Sequence, residues 1–456
     1  MDAIRVVTAA VVVALGLVLG GGGTPSGGAP ASGAARLVPA DTLVYVHLST
    51  DGDRPATARA ARLAGRFPSW PPVRDGLVKR LSAPGCPQGA DALKQAKEAA
   101  LALFDVGKAS TASSLVLIDA GRVHAGTPDR RCGALRLGYV GRFLAIGQPE
   151  SLRTARDLAA GKGEPLADAP DYRRVLAELP DDRVADGWAS QAGVRRLLAP
   201  QGGVLGAAGV LFDQPALKGA GFALTARDDG ARLVVHSVLD PKRKQSGSSG
   251  FKPFEPTLDD AVPAGAMAYV GVSGLAGALQ RVLAAAGSDA QALAPLVGSI
   301  DKSILDVFQG EAAVLLLPSV PAPVLAIVTK ADDEAAARRA LAKLPAPVRK
   351  AFATAIFDGK LVVSTSPAGV RAVRDAKAKL VDTDAYRAVS GRHPARVSSL
   401  VFLDFNRLLR LGEQTGLNES RAYLRVKDDL AKVRAVGAHS SGNATESIAE
   451  ISLLIP

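Results

Sequence analysis

Cysteine, histidine and aromatic side chains are scarce in this 456-residue chain. Two cysteines, Cys86 and Cys132, with no histidine at ligand spacing make a poor zinc site. The five histidines, His47, His124, His236, His393 and His439, form no HExxH pattern. Aromatics are 4% of the residues, and Trp70 and Trp188 are the only tryptophans. Carbohydrate and single-strand nucleic-acid sites need aromatic faces, so nucleic acid is not an expected partner. No G-x-S-x-G elbow and no Walker-type G-x-x-x-x-G-K-[ST] occurs. Ser249 and Lys252 have S-x-x-K form but stand in a Gly/Ser-rich stretch, without a helix to join them. The Gly-rich runs near Gly21 and Gly202 do not follow a strand. No catalytic residue, cofactor or metal ligand is therefore assigned from sequence, and the chain leans away from enzymes.

What is present is an ordinary globular balance, 48% hydrophobic and 22% charged, built mainly from Ala, Val and Leu. The net charge is +11. Basic surfaces attract phospholipid headgroups and acidic polymers. Here the arginines are scattered, and the one dense run, Lys242-Arg243-Lys244, lies between the two halves described below. A generically basic surface is the plain reading. An anionic envelope component is the partner it would admit.

Behind Arg5, the run Val6–Gly20 carries no charge, and none follows until Arg36. Fifteen helical residues span about 22 Å and eighteen about 27 Å, against a hydrocarbon core of about 30 Å. Residues 1–23 thus read as a signal peptide or a short membrane anchor. Residues 24–35, rich in Gly, Pro, Ser and Ala, read as a flexible tether. Either way the body is expected outside the cytoplasmic membrane, anchored or secreted. An exported chain permits a disulfide, and Cys86 with Cys132 would close a loop of about 47 residues.

The body repeats. Leu37–Leu48 reads LVPADTLVYVHL, and Ala261–Val272 reads AVPAGAMAYVGV. Pro39 meets Pro263 and Tyr45 meets Tyr269 at an offset of 224. Farther on, Pro149 meets Pro367 and Arg156-Asp157 meets Arg374-Asp375 at 218; Tyr172-Arg173 meets Tyr386-Arg387 at 214. Val184–Ser190 matches Val397–Leu403, and Phe222–Leu239 matches Ala438–Leu453. This describes a tandem duplication of a roughly 210-residue unit: residues 36–240, a linker over 241–257, and residues 258–456. Hairpins predominate, so each unit is expected to be α+β, a mainly antiparallel or mixed sheet with helices on one face. Helical spacing is read over Asp91–Phe104, from Leu93, Ala96, Ala100 and Leu103. The middle of the first half is then expected to be shortened, with the Cys132 loop in place of part of what the second half keeps.

Val38-Pro39-Ala40-Asp41, Tyr45, Asp51, Arg66-Phe67-Pro68, Gly141-Arg-Phe-Leu-Ala-Ile-Gly before a helix, and Asp171-Tyr172 before the Val184 strand carry a resemblance. Over residues 35–456 the chain resembles the bacterial family known as domain of unknown function 3352. That resemblance implies an exported or membrane-anchored, duplicated α+β body. It implies no catalytic residues.

Three candidate positions remain. Asp51-Gly52-Asp53 follows the opening strand and could draw a hard cation, although a polar turn is the simpler reading. His47 has Gly271 at its matching position and reads as a strand-face histidine. Tyr45 and Tyr269 read as core tyrosines. The expected function is an envelope protein with a non-catalytic binding or structural role, its partner an envelope protein or an anionic envelope component. The alternatives are a ligand-binding protein using the cleft between the repeats, and an envelope hydrolase.

Overall fold

The computed structural model describes residues 28–30, 32–81, 88–106, 111–124, 126–198, 216–243, 253–274, 310–319, 322–343 and 346–456. The expected anchor, part of the tether, Cys86, Ser249 and Lys252 lie outside these residues. No described helix is long and apolar enough to cross a membrane. The chain divides into two compact units, the second starting at Pro241. Both are α+β with antiparallel sheets.

The first unit holds β1 (Val44–Ser49), β2 (Glu98–Val106), β3 (Thr111–Asp119), β4 (Arg130–Cys132), β5 (Leu135–Val140), β6 (Phe143–Gly147), β7 (Arg183–Ser190), β8 (Leu217–Arg227) and β9 (Gly230–Leu239). Pairing gives the order β4-β5-β6-β3-β2-β1-β7-β8-β9. β1 is central and buried along its whole length. Its sequence, VYVHLS, is accordingly a near-continuous apolar run. Tyr45, His47 and Ser49 face one way, and Val44, Val46 and Leu48 the other.

Helices cover both faces of this sheet. Pro149–Ala159 and Pro170–Glu178 pack Leu152, Ala155, Tyr172 and Val175 against Tyr45, Leu115 and Leu117. Gln88–Gln95 packs Leu93 against Leu48 and Ile118 on the opposite face. The expectation of helices on one face is corrected here. The one-helix reading of Asp91–Phe104 is corrected too: the helix stops at Gln95, and β2 starts at Glu98. Alanine favours helix in isolation, but Ala100, Ala102 and Phe104 fill one side of an interior strand.

The second unit holds β10 (Ala268–Ser273), β11 (Glu311–Leu317), β12 (Val324–Lys330), β13 (Ala353–Phe357), β14 (Lys360–Ser364), β15 (Ser399–Asp404), β16 (Ala435–Gly442) and β17 (Glu446–Leu454). Its order is β13-β14-β12-β11-β10-β15-β16-β17. Strand for strand this is the pairing order of the first unit without β4. The first unit therefore has β2 and β3 where the second has β11 and β12. Where the second unit has helices Glu334–Ala342 and Ala346–Ala351 between β12 and β13, the first has β4 and the Cys132 loop. Tyr45 pairs with Trp188, and Tyr269 with Phe402. That places β7 against β15 one residue away from the sequence match. At the β13–β14 turn, Asp358 and Gly359 both have positive φ, 49° and 66°, the requirement of a two-residue hairpin. Asp333 caps Glu334–Ala342, its Oδ1 accepting from Ala336 N–H at 2.8 Å.

Both units fasten their opening stretch in the same way. Pro39 bridges to Pro165, and Pro263 to Lys379. Leu166 N–H donates to Val38 C=O at 2.7 Å, and Leu380 N–H to Val262 C=O at 2.8 Å.

Candidate functional site

The densest chemistry among the described residues lies on the face of β1 that carries Tyr45, His47 and Ser49, inside the first unit. β1 and β7 set His47 opposite Asp186, while β2 brings Glu98 opposite Ser49. His47 Nδ1 lies 2.9 Å from Asp186 Oδ1, and its Nε2 lies 3.7 Å from Glu98 Oε1. Arg183 Nε donates to the same Asp186 oxygen at 3.1 Å. His47, Glu98 and Asp186 are all 0% exposed.

Isolated charges would not survive such burial, so the arrangement of partners is the explanation. Burial disfavours the charged imidazole, but Asp186 and then Glu98 outweigh it and hold the His47 pKa above its ordinary 6.5. Burial also works against the Asp186 carboxylate, yet His47 and Arg183 hold its pKa below the usual value. Burial raises Glu98, opposed by His47, by the Ala34 and Gly33 amides and by Arg142. The Ala34 N–H donates to Glu98 Oε1 at 2.8 Å and the Gly33 N–H to Oε2 at 3.1 Å. Arg142 reaches Oε2 at 3.5 Å from the β5–β6 turn.

Arg54 is buried beside this cluster. It donates to Ser49 Oγ, to Arg183 C=O and to the carbonyls of Gly28 and Asp181, at 2.9–3.0 Å. Tyr172 stacks edge-on to Tyr45 at 6.1 Å and to Trp188 at 6.3 Å between centroids. Tyr45 Oη, Tyr172 Oη, His47 Nε2 and Asp186 Oδ2 have no hydrogen-bond partner among the described residues.

The second unit supplies an internal comparison. Tyr269, Tyr386 and Phe402 repeat the aromatic trio. Glu311 repeats Glu98: it accepts from the Thr257 and Leu258 amides at 2.7 and 2.9 Å and from Thr257 Oγ1 at 2.6 Å. The rest of the cluster is replaced. Gly271 stands at the place of His47 and Leu400 at that of Asp186. A Cβ at Gly271 would run into the Tyr269 hydroxyl, so no larger residue fits there as packed. Tyr386 instead donates to Asp259 Oδ2 at 2.9 Å.

Other sequence candidates separate from this cluster. Asp51 Oδ1 accepts from Asp53 N–H at 3.1 Å, closing a polar turn. Lys97 Nζ lies 3.7 Å from Asp51 and 3.4 Å from Asp53, so a lysine already supplies the positive charge. No group of three or more His, Cys, Asp or Glu able to hold a metal occurs among the described residues. His124 stacks on Tyr139 at 4.0 Å, His236 and His439 are buried, and half-buried His393 sits 2.8 Å from the Pro394 carbonyl. Cys132 is buried with Leu93 and Leu137.

Sequence reasoning discounted His47 because its counterpart is glycine. The missed signal was the coincidence of two losses: Asp186, like His47, has no polar counterpart. The one-residue slip in matching β7 to β15 hid that pairing.

No protein-family model matches the chain, and no curated protein matches it. Among solved structures, crystal form III of TP0453 aligns at 10% identity over 49% of this chain and 89% of that one, with a TM-score of 0.28. Crystal form I of TP0453 aligns at 10% identity over 50% and 89%, also with a TM-score of 0.28.

Proposed function

We propose that the chain is an exported envelope protein whose body, a tandem duplication of one α+β unit, has a non-catalytic binding or structural role outside the cytoplasmic membrane. The observation supporting it most is the sealing of the His47–Asp186–Glu98 cluster. All three side chains are fully buried and His47 lies against both carboxylates, so the groups best suited to acid–base chemistry are closed off from solvent between strands. The matching strand order of the two units supports the duplication. The uncharged run Val6–Gly20 and the resemblance to domain of unknown function 3352 support export.

Ligand binding is the second reading. A cavity of about 550 Å³ in the second unit lies between β12 and Glu334–Ala342, lined by Glu311, Lys330, Asp332, Asp333, Arg339 and Lys343. Its size is within the range of small-molecule sites.

The test is fractionation of the native host, followed by protease treatment of intact cells and crosslinking with a membrane-impermeant reagent. The chain should be found in the envelope or medium, be cut by external protease, and crosslink to an envelope component. Recovery in the cytosol, protected from protease, would overturn the proposal.

A further inference from the structure

We propose that the His47–Asp186–Glu98 cluster is a protonation-controlled clasp that fastens the lead-in segment Gly33–Leu37 to the first unit. The geometry makes one continuous path. Asp186 on β7 holds His47 on β1 at 2.9 Å; His47 faces Glu98 on β2 at 3.7 Å; Glu98 grips the Gly33 and Ala34 amides. The charged imidazolium sits between two buried carboxylates and balances them. When it loses its proton, Glu98 keeps only Arg142, itself half-exposed, against its buried negative charge. The carboxylate then turns toward water or takes up a proton, and its hold on the two amides weakens.

The titratable and charged groups around His47 come from every element packed there. They are Tyr45 on its own strand, Glu98 on β2, Asp186 and Arg183 on β7, and Tyr172 on helix Pro170–Glu178. Arg142 and Arg54 lie behind the carboxylates. Tyr45 and Tyr172 are held protonated, both raised by burial first.

The sign follows from the direction of each shift. A His47 pKa raised by folding adds stability that is complete below 6.5 and vanishes as the pH climbs through the raised value. Glu98, also raised, lends stability to the fold below 4.5 in its neutral form, which holds the two amides more weakly, so the clasp is read above that range. Asp186, lowered, opposes them only below 3.8. The clasp is therefore tight in mild acid and looser in alkali. Each unit of upward displacement of the His47 pKa is worth about tenfold in the closing equilibrium. The second unit has Gly271 and Leu400 at these places and grips Thr257 and Leu258 with Glu311 without a histidine. It is the built-in control.

Two measurements on the full chain test this: the titration of His47 by NMR, and amide exchange at Gly33 and Ala34 from about pH 5.5 to about pH 9, corrected for intrinsic rates. The expected result is a His47 pKa above 6.5. Protection of Gly33 and Ala34 should fall above it, while Thr257 and Leu258 stay level. His47→Gln should flatten the Gly33 profile. Asp186→Asn, which keeps the imidazole, should lower the His47 pKa and serves if the glutamine variant does not fold. A His47 that titrates at or below 6.5, or the same Gly33 profile in wild type and variants, would overturn the clasp.

Discussion

Asp186 carries two cationic partners on one oxygen, His47 Nδ1 and Arg183 Nε. Asp186→Ala would strand both in a dry interior. Removal of one member of a buried ion pair costs about 3–5 kcal/mol, so urea titration of the first unit at neutral pH should show a loss of that size. Replacing a buried pair by apolar residues is often neutral or better. The combination His47→Gly, Asp186→Leu and Arg183→Val would copy the second unit's own set, Gly271, Leu400 and Val397. It should recover most of the loss. A combined variant less stable than Asp186→Ala alone would show that the cluster supports the fold beyond its charge balance. This chemistry was half legible in the sequence. His47 stood out on its strand, but Asp186 lies 139 positions away and meets it only through the β1–β7 register. Periodicity along one strand contains no information about which strand becomes its neighbour.

At the scale of elements, Glu98 and Glu311 do the same work at the first residue of β2 and of β11. Hydrogen bonds to a charged acceptor are worth about 1.5–3 kcal/mol each. Glu311→Ala should therefore cost the second unit about 3 kcal/mol or more and speed amide exchange at Thr257 and Leu258, with Gly33 and Ala34 unchanged. Equal acceleration in both units would contradict separate grips. Strands with strong turn chemistry were readable from the sequence. The hairpin at Asp358-Gly359 and the one at Gly141 fall where their positive-φ residues require, and of the adjacent Asp332 and Asp333 it is Asp333 that caps Glu334–Ala342. β2 was not readable, because EAALALFDV has helix-favouring residues in a strand whose identity is fixed by β1 and β3 on either side.

For the whole molecule, the expectation that Cys86 and Cys132 pair concerns the first unit alone. Closing a 47-residue loop is worth roughly 4 kcal/mol in the chain-entropy model. Reductant should lower the first unit's unfolding midpoint and leave the second's where it was, with non-reducing peptide mapping giving a Cys86–Cys132 crosslinked peptide. Free thiols at both positions would end the idea. Units with separate cores need not unfold together, so two resolved calorimetric transitions are the readout. The repeated sequence pattern was legible because turn prolines and core tyrosines recur at nearly constant offset. The divergence after β3 was legible only as a change of spacing. Spacing alone could not tell a lost strand from helices exchanged for a short strand and a loop.

The two glutamates take hold of main-chain amides, Gly33 and Ala34 in one unit and Thr257 and Leu258 in the other. Such a grip is blind to the identity of what it holds. What limits the held segment is burial instead, since Ala34 and Leu258 lie in the two cores. Anyone tracing distant relatives of this chain would do better to anchor the comparison on the glutamate that opens the second strand than on the segment it holds.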